Sequence, residues 1–249
     1  MRYLNLCEFK TVDTELMLAD LESLERRSTA LVKKTRGNDK DAITTLAIIE
    51  KVIEALKEGK PARSVAAQLE DQAVLNELQL LTAKPVMYVC NVGEEDSRTG
   101  NAYSERVAAR AAAEGAVSVV ISAAIEAEIA QLTNSEERAE FLESIGLEDT
   151  GLSQIIAAGY KLLGLITYLT AGPTESRAWT ITEGTKAPQA AAAIHTDFQR
   201  GFICAETIAF EDYVSCAGEA GAKEAGKIRQ EGRDYVIKDG DIILFRFNV

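Results

Sequence analysis

The 249 residues contain no GxxxxGK[ST] phosphate-binding loop. Gly59-Lys60 is followed by Pro61 and Gly226-Lys227 by Ile228, so neither pair offers the hydroxyl that holds Mg²⁺ beside a bound nucleotide. Without this loop, no nest of backbone N–H groups cradles a triphosphate. We therefore expect that this chain alone hydrolyses no nucleoside triphosphate, and the sequence assigns no catalytic residue and no metal ligand.

Other absences limit the class of protein. No apolar run is long enough to span a bilayer and no charged-then-apolar signal segment is present, which predicts a cytoplasmic protein without a membrane partner. The four cysteines form no CxxC pair and the single histidine gives no metal cluster, so reduced thiols are expected. His195 lies in an apolar stretch and is interpreted as a packed or capping structural residue.

Positive charge is scarce overall but concentrated in one run. A net charge of −12 argues against a surface that coats nucleic acid, and no DNA partner is expected. The run 26–40 has two interpretations: a solvated helical surface, or a contact for RNA, the ribosome or an acidic protein surface. Its basic residues are Arg26, Arg27, Lys33, Lys34, Arg36 and Lys40.

This run lies at the tip of a predicted helical hairpin. Apolar residues spaced three and four apart over 12–58 predict two long helices, and "RGND" at 36–39 supplies the turn between them. The apolar seams are narrow, as in a coiled coil, so each helix is expected to bury the seam of the other. A further helix is predicted over 64–82.

The hydrophobic pattern changes after these helices. Residues 86–90 and 117–121 are continuous apolar runs, which predict parallel strands covered on both faces. Between them, 104–115 predicts a helix with Ser104 as N-cap and Gly115 as its stop, and this completes a βαβ unit. Because the first 84 residues offer no strand, we expect a fragment with the closing part of a doubly wound sheet, whose open edge promotes self-association.

Residues 164–249 have a different pattern again. Short strands ("LITYLTA", "RAWTIT", "ICAETIAF"), a helix over 188–199 and a final strand pair around Asp239-Gly240 predict a compact α+β domain of β-grasp type. The predicted fold class is thus α/β with α+β. It combines a helical hairpin, a partial P-loop-type parallel sheet and a C-terminal β-grasp domain.

Polar residues follow both predicted parallel strands. In P-loop GTPases an Asn-Lys-x-Asp motif after a buried strand reads the base, and a Ser-Ala-x turn after the next strand supports it; "NVGE" and "SAA" occupy these places here. An Asn amide donates and accepts, so it suits the N7 and exocyclic group of a purine, although Asn-x-x-Glu alone also fits an Asx turn. Glu in place of Asp is expected to remove strict guanine selection. The predicted base-binding residues are Asn91, Val92, Glu94, Ser122 and Ala123.

Longer stretches resemble the YchF/Obg-like ATPase family over about residues 11–249. In family order they are "DTELMLADLE", "LQLLTAKPVMYVCNV", "GLSQIIAAGYKLLGLITYLTAG", "RAWTI", "APQAAAAIHTDFQRGFICAETIAFEDYV" and "GKIRQEGRDYVIKDGDIILFRFNV". The resemblance implies a GTPase-like domain interrupted by a helical hairpin and followed by a TGS domain, which is a β-grasp module. It also implies ATP preferred over GTP through Asn-x-x-Glu, Mg²⁺ only where the phosphate loop is present, and association with ribosomes.

The chain departs from this family in two ways. The phosphate loop and switch segments are absent, and residues 1–10 do not resemble the family, which predicts a truncated or misassigned reading frame or an artificial boundary. The predicted domains are 1–10, an atypical start; 11–63, the hairpin; 64–163, the end of the nucleotide-binding domain; and 164–249, the TGS domain. Two functions remain open: a truncated ATPase that binds ATP or GTP and the ribosome, or a non-catalytic module that contacts RNA or the ribosome through the hairpin tip and TGS domain.

Overall fold

The computed structural model describes residues 6–35, 37–69, 72–172 and 175–248 of the chain. Arg36 of the predicted hairpin tip and residues 1–5 of the predicted atypical start lie outside the described residues. The chain divides into two units, Met1–Val86 and Met87–Val249. The domain boundaries at 11–63, 64–163 and 164–249 stay predictions.

The first unit begins with the predicted hairpin, which is confirmed. Helix α1, Leu6–Thr35, and helix α2, Lys40–Lys57, pack against each other across a short turn. Asn38 takes a left-handed φ of 59° in this turn, a conformation that Asn tolerates. Asp39 then caps α2, because its carboxylate accepts hydrogen bonds from the backbone N–H groups that open the helix.

The core of this unit is wider than two narrow seams. Leu24 of α1 and Ile49 and Val52 of α2 are fully buried, and the same core takes in side chains between residues 62 and 80. A wide apolar face is therefore needed on α2, since it packs against α1 and against this later segment. The prediction that each helix buries the seam of the other is confirmed, since Leu24 and Ile49 share one core, but the apolar face of α2 is wider than predicted.

The segment after the hairpin is not the single helix predicted over 64–82. It forms a 3₁₀ helix, Ala62–Gln68, and a short helix α3, Gln72–Glu77. A buried carboxylate accounts for the irregular path that follows. Asp20 of α1, 3% exposed, accepts from the backbone N–H groups of Leu81 and Thr82, both at 2.8 Å, and from the Thr82 hydroxyl at 2.7 Å. Asp20 thus uses the N–H groups that a continuing helix would bond internally.

The second unit opens with the predicted βαβ arrangement. Strands β1, Met87–Asn91, and β2, Val117–Ile121, pair in parallel, and helix α4, Ala102–Glu114, connects them and packs against both. Gly115 ends α4 in the left-handed conformation, as predicted. Ser104 is not the N-cap: Asn101 caps α4, and Ser104 returns the bond as the third residue of a capping box.

Three helices follow β2 and bring the chain back over the sheet. They are α5, Ala123–Ile129; α6, Ser135–Ile145; and α7, Gly151–Leu163. Helix α7 packs against both strands of the pair. The expectation that the strands are covered on both faces was wrong for the described residues: Val119 alone of β2 is buried, and Val89 of β1 is 44% exposed.

The rest of the unit consists of these elements: β3, Leu165–Ala171; β4, Ser176–Thr182; α8, Ala187–Ile194; α9, Thr196–Arg200; β5, Phe202–Ala209; α10, Phe210–Ser215; α11, Glu219–Glu224; β6, Arg229–Glu231; and β7, Asp241–Phe247. The strands form a five-stranded mixed sheet in the order β4-β3-β7-β5-β6, with one face packed on helix α8. Tyr168, fully buried at the centre of this core, donates a hydrogen bond to the Ala190 carbonyl oxygen of α8 at 2.9 Å. The predicted α/β with α+β fold class is confirmed.

Two local predictions in this region were wrong. The helix over 188–199 is broken at His195 into α8 and α9. The final residues do not form a strand pair around Asp239-Gly240, since β7 pairs with β3 and β5 instead. The turn itself is present: Gly240 has a φ of 77°, and the Asp239 carboxylate accepts from the Thr167 N–H at 2.7 Å.

Candidate base-recognition site

The two predicted base-binding loops meet at the carboxyl ends of β1 and β2. The parallel register pairs Asn91 with Ile121, the last residue of each strand. Asn91 Oδ1 accepts a hydrogen bond from the backbone N–H of Ala123 at 2.9 Å. The N–H of Val92 donates to the Ile121 carbonyl oxygen, also at 2.9 Å. Two hydrogen bonds therefore join the loops, and the Val92 N–H is used within the protein.

The Asn91 side chain keeps a free donor. Asn91 is exposed, and its Nδ2 group makes no hydrogen bond to the residues that the structure describes. Because Oδ1 already accepts from Ala123, the NH₂ group is the part of the amide that has no partner and can donate to a ligand. A hydrogen-bond acceptor such as a purine N7 matches that group.

Ser122 contributes a buried hydroxyl beside this bond. The residue is 4% exposed, and its Oγ has no hydrogen-bond partner in the described part of the chain. It occupies the N-cap position of α5 without capping it through the side chain. A buried hydroxyl without a partner costs stability, so a polar ligand atom or a water molecule at this place is favourable.

The acidic loop after Asn91 forms a short 3₁₀ turn, Glu94–Asp96. Glu94 is exposed, and its carboxylate makes no hydrogen bond or ion pair with the described residues. Asp96 accepts from the Asn101 side-chain amide at 2.8 Å, so it fastens the loop to the start of α4. Of these two acids, Glu94 is therefore the one available to a ligand.

Cys90 lies immediately before the site, on β1. Burial raises the pKa of its thiol. Since the thiolate is the reactive form of cysteine, this shift lowers the reactivity of the Cys90 thiol at neutral pH.

The predicted hairpin-tip residues that the structure describes are exposed but not equivalent. Lys33 and Lys34 in the last turn of α1 and Lys40 at the start of α2 have no ion pair among the described residues. Arg27 points its guanidinium to the Leu78 carbonyl oxygen, 3.0 Å from Nη1, and so fastens α1 to the segment after α3. Arg26 is exposed on α1, about two helical turns before the tip lysines.

Comparisons with known proteins identify the family. A family model described as YchF-GTPase_C, a protein of unknown function (DUF933), matches residues 165–248. The ribosome-binding ATPase YchF of Escherichia coli O157:H7 is 50% identical over 242 residues, which cover 97% of this chain and 66% of that protein. The solved Schizosaccharomyces pombe YchF GTPase has a TM-score of 0.85 at 32% identity and covers 98% of this chain and 68% of that chain. The chain belongs to the YchF family.

The relatives in this YchF family differ in the nucleotide that their names give. The protein of Bacillus subtilis strain 168, 49% identical over 244 residues, is again a ribosome-binding ATPase YchF, whereas the yeast protein is called a GTPase. The present chain spans 66% of the length of the two bacterial relatives. Nucleotide binding and ribosome binding are therefore only proposed for this chain.

One stretch outside the base site carries part of the missing phosphate-loop pattern. Gly221 to Lys227 reads GxxxxGK and lacks only the final Ser or Thr. In this YchF-family fold the stretch begins inside α11, not between a strand and a helix. Lys227 Nζ lies 3.0 Å from the Asp212 carboxylate, and this hydrogen bond raises the pKa of Lys227. The stretch has neither the backbone nor the lysine of a phosphate loop.

His195 is a capping residue, as the sequence interpretation allowed. Its Nδ1 accepts from the Asp197 N–H at 3.2 Å at the start of α9. Among the residues that the structure describes, no group of three or more His, Cys, Asp or Glu side chains is placed to hold a metal ion. None of the described helices is long and apolar enough to cross a membrane.

Proposed function

We propose that the purine base of ATP, and less tightly that of GTP, binds at a site formed by Asn91, Val92, Glu94, Ser122 and Ala123. The observation that carries the proposal is the 2.9 Å hydrogen bond from the Ala123 N–H to Asn91 Oδ1, at the ends of adjacent parallel strands. It supports base recognition because it orients the Asn91 amide so that its NH₂ group is left to donate. A purine nucleotide also agrees with the names of the relatives, ATPase and GTPase.

The free donor of Asn91 and the free carboxylate of Glu94 each have a matching place on the base. The Asn91 Nδ2 group donates to N7, and the exposed Glu94 carboxylate accepts from the exocyclic amino group of adenine. An Asp at the fourth position accepts from guanine N1 and N2 together. Glu is one methylene longer, so it reaches a different part of the base edge, and strict guanine selection is lost.

We propose no hydrolysis by this chain on its own. The GxxxxGK[ST] loop that holds the phosphates and Mg²⁺ is absent from the 249 residues, so binding relies on the base end of the nucleotide. In this proposal 11–63 is the helical hairpin, 64–163 the end of the nucleotide-binding domain and 164–249 a TGS domain.

Titration calorimetry with ATP and GTP up to millimolar concentration tests the base site. The sharpest variant is Asn91→Asp, because it keeps the acceptor for the Ala123 N–H and replaces the free donor by a carboxylate oxygen. ATP affinity should fall at least about tenfold, since two acceptors then face each other. Asn134→Asp is the matched control: Asn134 caps α6 through its side-chain oxygen, and Asp caps equally well. Absence of ATP binding by the unchanged protein, or equal affinity in Asn91→Asp, rejects the proposal.

We also propose that the chain associates with the ribosome through the hairpin tip. The tip lysines Lys33, Lys34 and Lys40 are exposed and unpaired among the described residues, while the protein as a whole is acidic. A local cationic surface on an acidic protein suits phosphate groups of RNA. A protein that acts on the ribosome acts in the cytoplasm, which is the localisation we propose.

Co-sedimentation with ribosomes tests the tip. Replacing Lys33, Lys34 and Arg36 by Glu should abolish binding at low salt, and binding of the unchanged protein should weaken steeply as salt rises. The control replaces three exposed lysines nearer the other end of this unit, Lys10, Lys51 and Lys84, and makes the same change in net charge. Equal binding by the two triple variants contradicts a specific role for the tip.

The two measurements also separate the alternative function from the first. A chain that binds ribosomes but no ATP is a non-catalytic RNA or ribosome interaction module. A chain that binds both retains the base end of the nucleotide site together with the ribosome contact.

A further inference from the structure

The Ser122-Ala123 turn has little support of its own. It opens α5, Ala123–Ile129, whose N-cap Ser122 makes no side-chain capping bond. A short helix without such a cap is weakly held by its own hydrogen bonds. Yet the Ala123 N–H has to stay in place for Asn91 Oδ1 to accept from it at 2.9 Å.

Glu126, in the first turn of α5, ties this helix to α7. Its two carboxylate oxygens accept from the backbone N–H groups of Gly151 at 2.6 Å and Leu152 at 3.2 Å. These are the first two N–H groups of the 13-residue helix α7, where the positive end of the helix dipole lies. Hydrogen bonds to an ionised carboxylate at a helix start are among the stronger ones in proteins. Thr150 caps the next N–H, that of Ser153, so Glu126 fills the part of the terminus that the local cap leaves open.

Helix α7 is in turn fixed on the sheet beside the base loops. Gly151 is buried, and a Cβ atom at this position would lie 2.8 Å from Ile121 Cγ2, closer than packed atoms approach. Glycine therefore lets the start of α7 rest directly on the last residue of β2. Helix α7 also packs against both strands. Helix α5 is therefore held against a helix that is itself fixed on the sheet.

We infer that Glu126 is a positioning residue for the base-recognition site, which holds the Ser122-Ala123 turn against Asn91 by clamping α5 to the start of α7. The role of Glu126 in nucleotide binding rests on the proposed function, whereas its hydrogen bonds to α7 do not. Glu126 itself touches no ligand atom in this proposal. It acts through the backbone: it bonds to α7, and its own N–H donates to the Ser122 carbonyl oxygen.

Two readouts on the same variants test the clamp. Amide hydrogen exchange, resolved by NMR, follows the Ala123 N–H in the nucleotide-free protein, and calorimetry follows ATP affinity. In Glu126→Ala, Ala123 exchange should rise and ATP affinity should fall, each at least about tenfold. Glu128→Ala is the matched control, because Glu128 is an exposed carboxylate on the same short helix, with no hydrogen bond to the described residues. It should leave both quantities within about twofold.

Each outcome decides the question. Unchanged Ala123 exchange in Glu126→Ala overturns the inference, and so does faster exchange with unchanged ATP affinity, because the clamp would then serve only the helices. If the unchanged protein binds no ATP, the proposed function fails, and exchange alone still shows whether Glu126 orders the turn. Glu126→Gln, which keeps an acceptor oxygen for Gly151, should show a smaller rise in exchange. It replaces Glu126→Ala in the comparison if that variant does not fold.

Discussion

The core side chains of the hairpin unit, Met1–Val86, are buried on all sides, whereas those of the β1–β2 pair are partly exposed to solvent. In the hairpin, Leu24, Ile49 and Val52 are fully buried and a third segment completes the core. In the parallel pair, Val89 is 44% exposed, and α7 leaves an apolar face in solvent. Both regions are rich in apolar residues, so composition does not distinguish them. The difference lies in how many elements pack on each face, and it predicts different responses to substitution.

The largest effect is expected at the carboxylate that closes the hairpin core. Asp20→Ala leaves the N–H groups of Leu81 and Thr82 and the Thr82 hydroxyl without their acceptor. The free energy of unfolding of this unit should fall by about 3–5 kcal/mol, since each buried unsatisfied group costs on the order of 1–3 kcal/mol. Urea denaturation measures it. Glu22→Ala, an exposed acid on the same helix, should change it by under about 0.5 kcal/mol, and equal losses would refute the assignment.

A smaller contrast is expected between equivalent truncations in the two regions. Leu24→Ala removes a fully buried side chain and should destabilise the hairpin unit by about 2–5 kcal/mol. Val89→Ala truncates a strand residue that is 44% exposed and should cost under about 1 kcal/mol. The same denaturation experiment compares them. A loss of unfolding free energy in Val89→Ala as large as that in Leu24→Ala would contradict this contrast, because Val89 would then have to be buried in solution.

The five-stranded sheet has a separate core, and the stability of this core depends on alkaline pH. Burial raises the pKa of Tyr168 well above its usual value, because the ionised phenol would lose solvent. The folded state therefore keeps this proton after the unfolded state releases it. Stability from this group is complete below the ordinary tyrosine pKa of about 10 and is lost as pH rises above it.

Tyr168→Phe isolates this contribution. At neutral pH it should cost about 1 kcal/mol, since the Ala190 carbonyl oxygen loses its donor. Its denaturation midpoint should then decline less between neutral and strongly alkaline pH than that of the unchanged protein. Parallel declines would show that Tyr168 does not set the alkaline limit. Tyr235, whose pKa is also raised by burial, contributes to the decline that remains in the variant.

The smallest effect on stability is expected for substitutions of the exposed apolar side chains of α7. Leu152, Ile156 and Leu163 of α7 are 59%, 51% and 57% exposed, so replacing Leu152 and Ile156 by Ser should change stability by under about 0.5 kcal/mol. We expect the unchanged protein to self-associate at high concentration through the open sheet edge and this face. The double variant should elute as a smaller species in size-exclusion chromatography. A concentration-independent monomer for the unchanged protein contradicts this prediction.

Elements set by local patterns were predictable from the sequence, whereas elements set by distant contacts were not. Helix α2 and strands β1 and β2 were predicted within a few residues, and α1 except for its first six residues, because helical spacing and unbroken apolar runs are local properties. The helix over 64–82 and the final strand pair were wrong, because Asp20 and the partners of β7 are distant in sequence. At the site, Asn91 and the Ser122 turn were recognisable from a motif. Glu126 was not, since one acid among several on an exposed helix carries no local signal.

By itself the sequence determined the types of most elements and the placement of polar residues at the ends of two neighbouring strands. Only the tertiary structure decided that Asn91 holds Ala123, that Glu126 holds Gly151 and that Asp20 holds Thr82. These pairs are 32, 25 and 62 residues apart. Spacing along the chain specifies which face of an element is apolar. It does not specify which distant backbone N–H group a buried or half-buried oxygen will reach, because that depends on the packing of the elements between them.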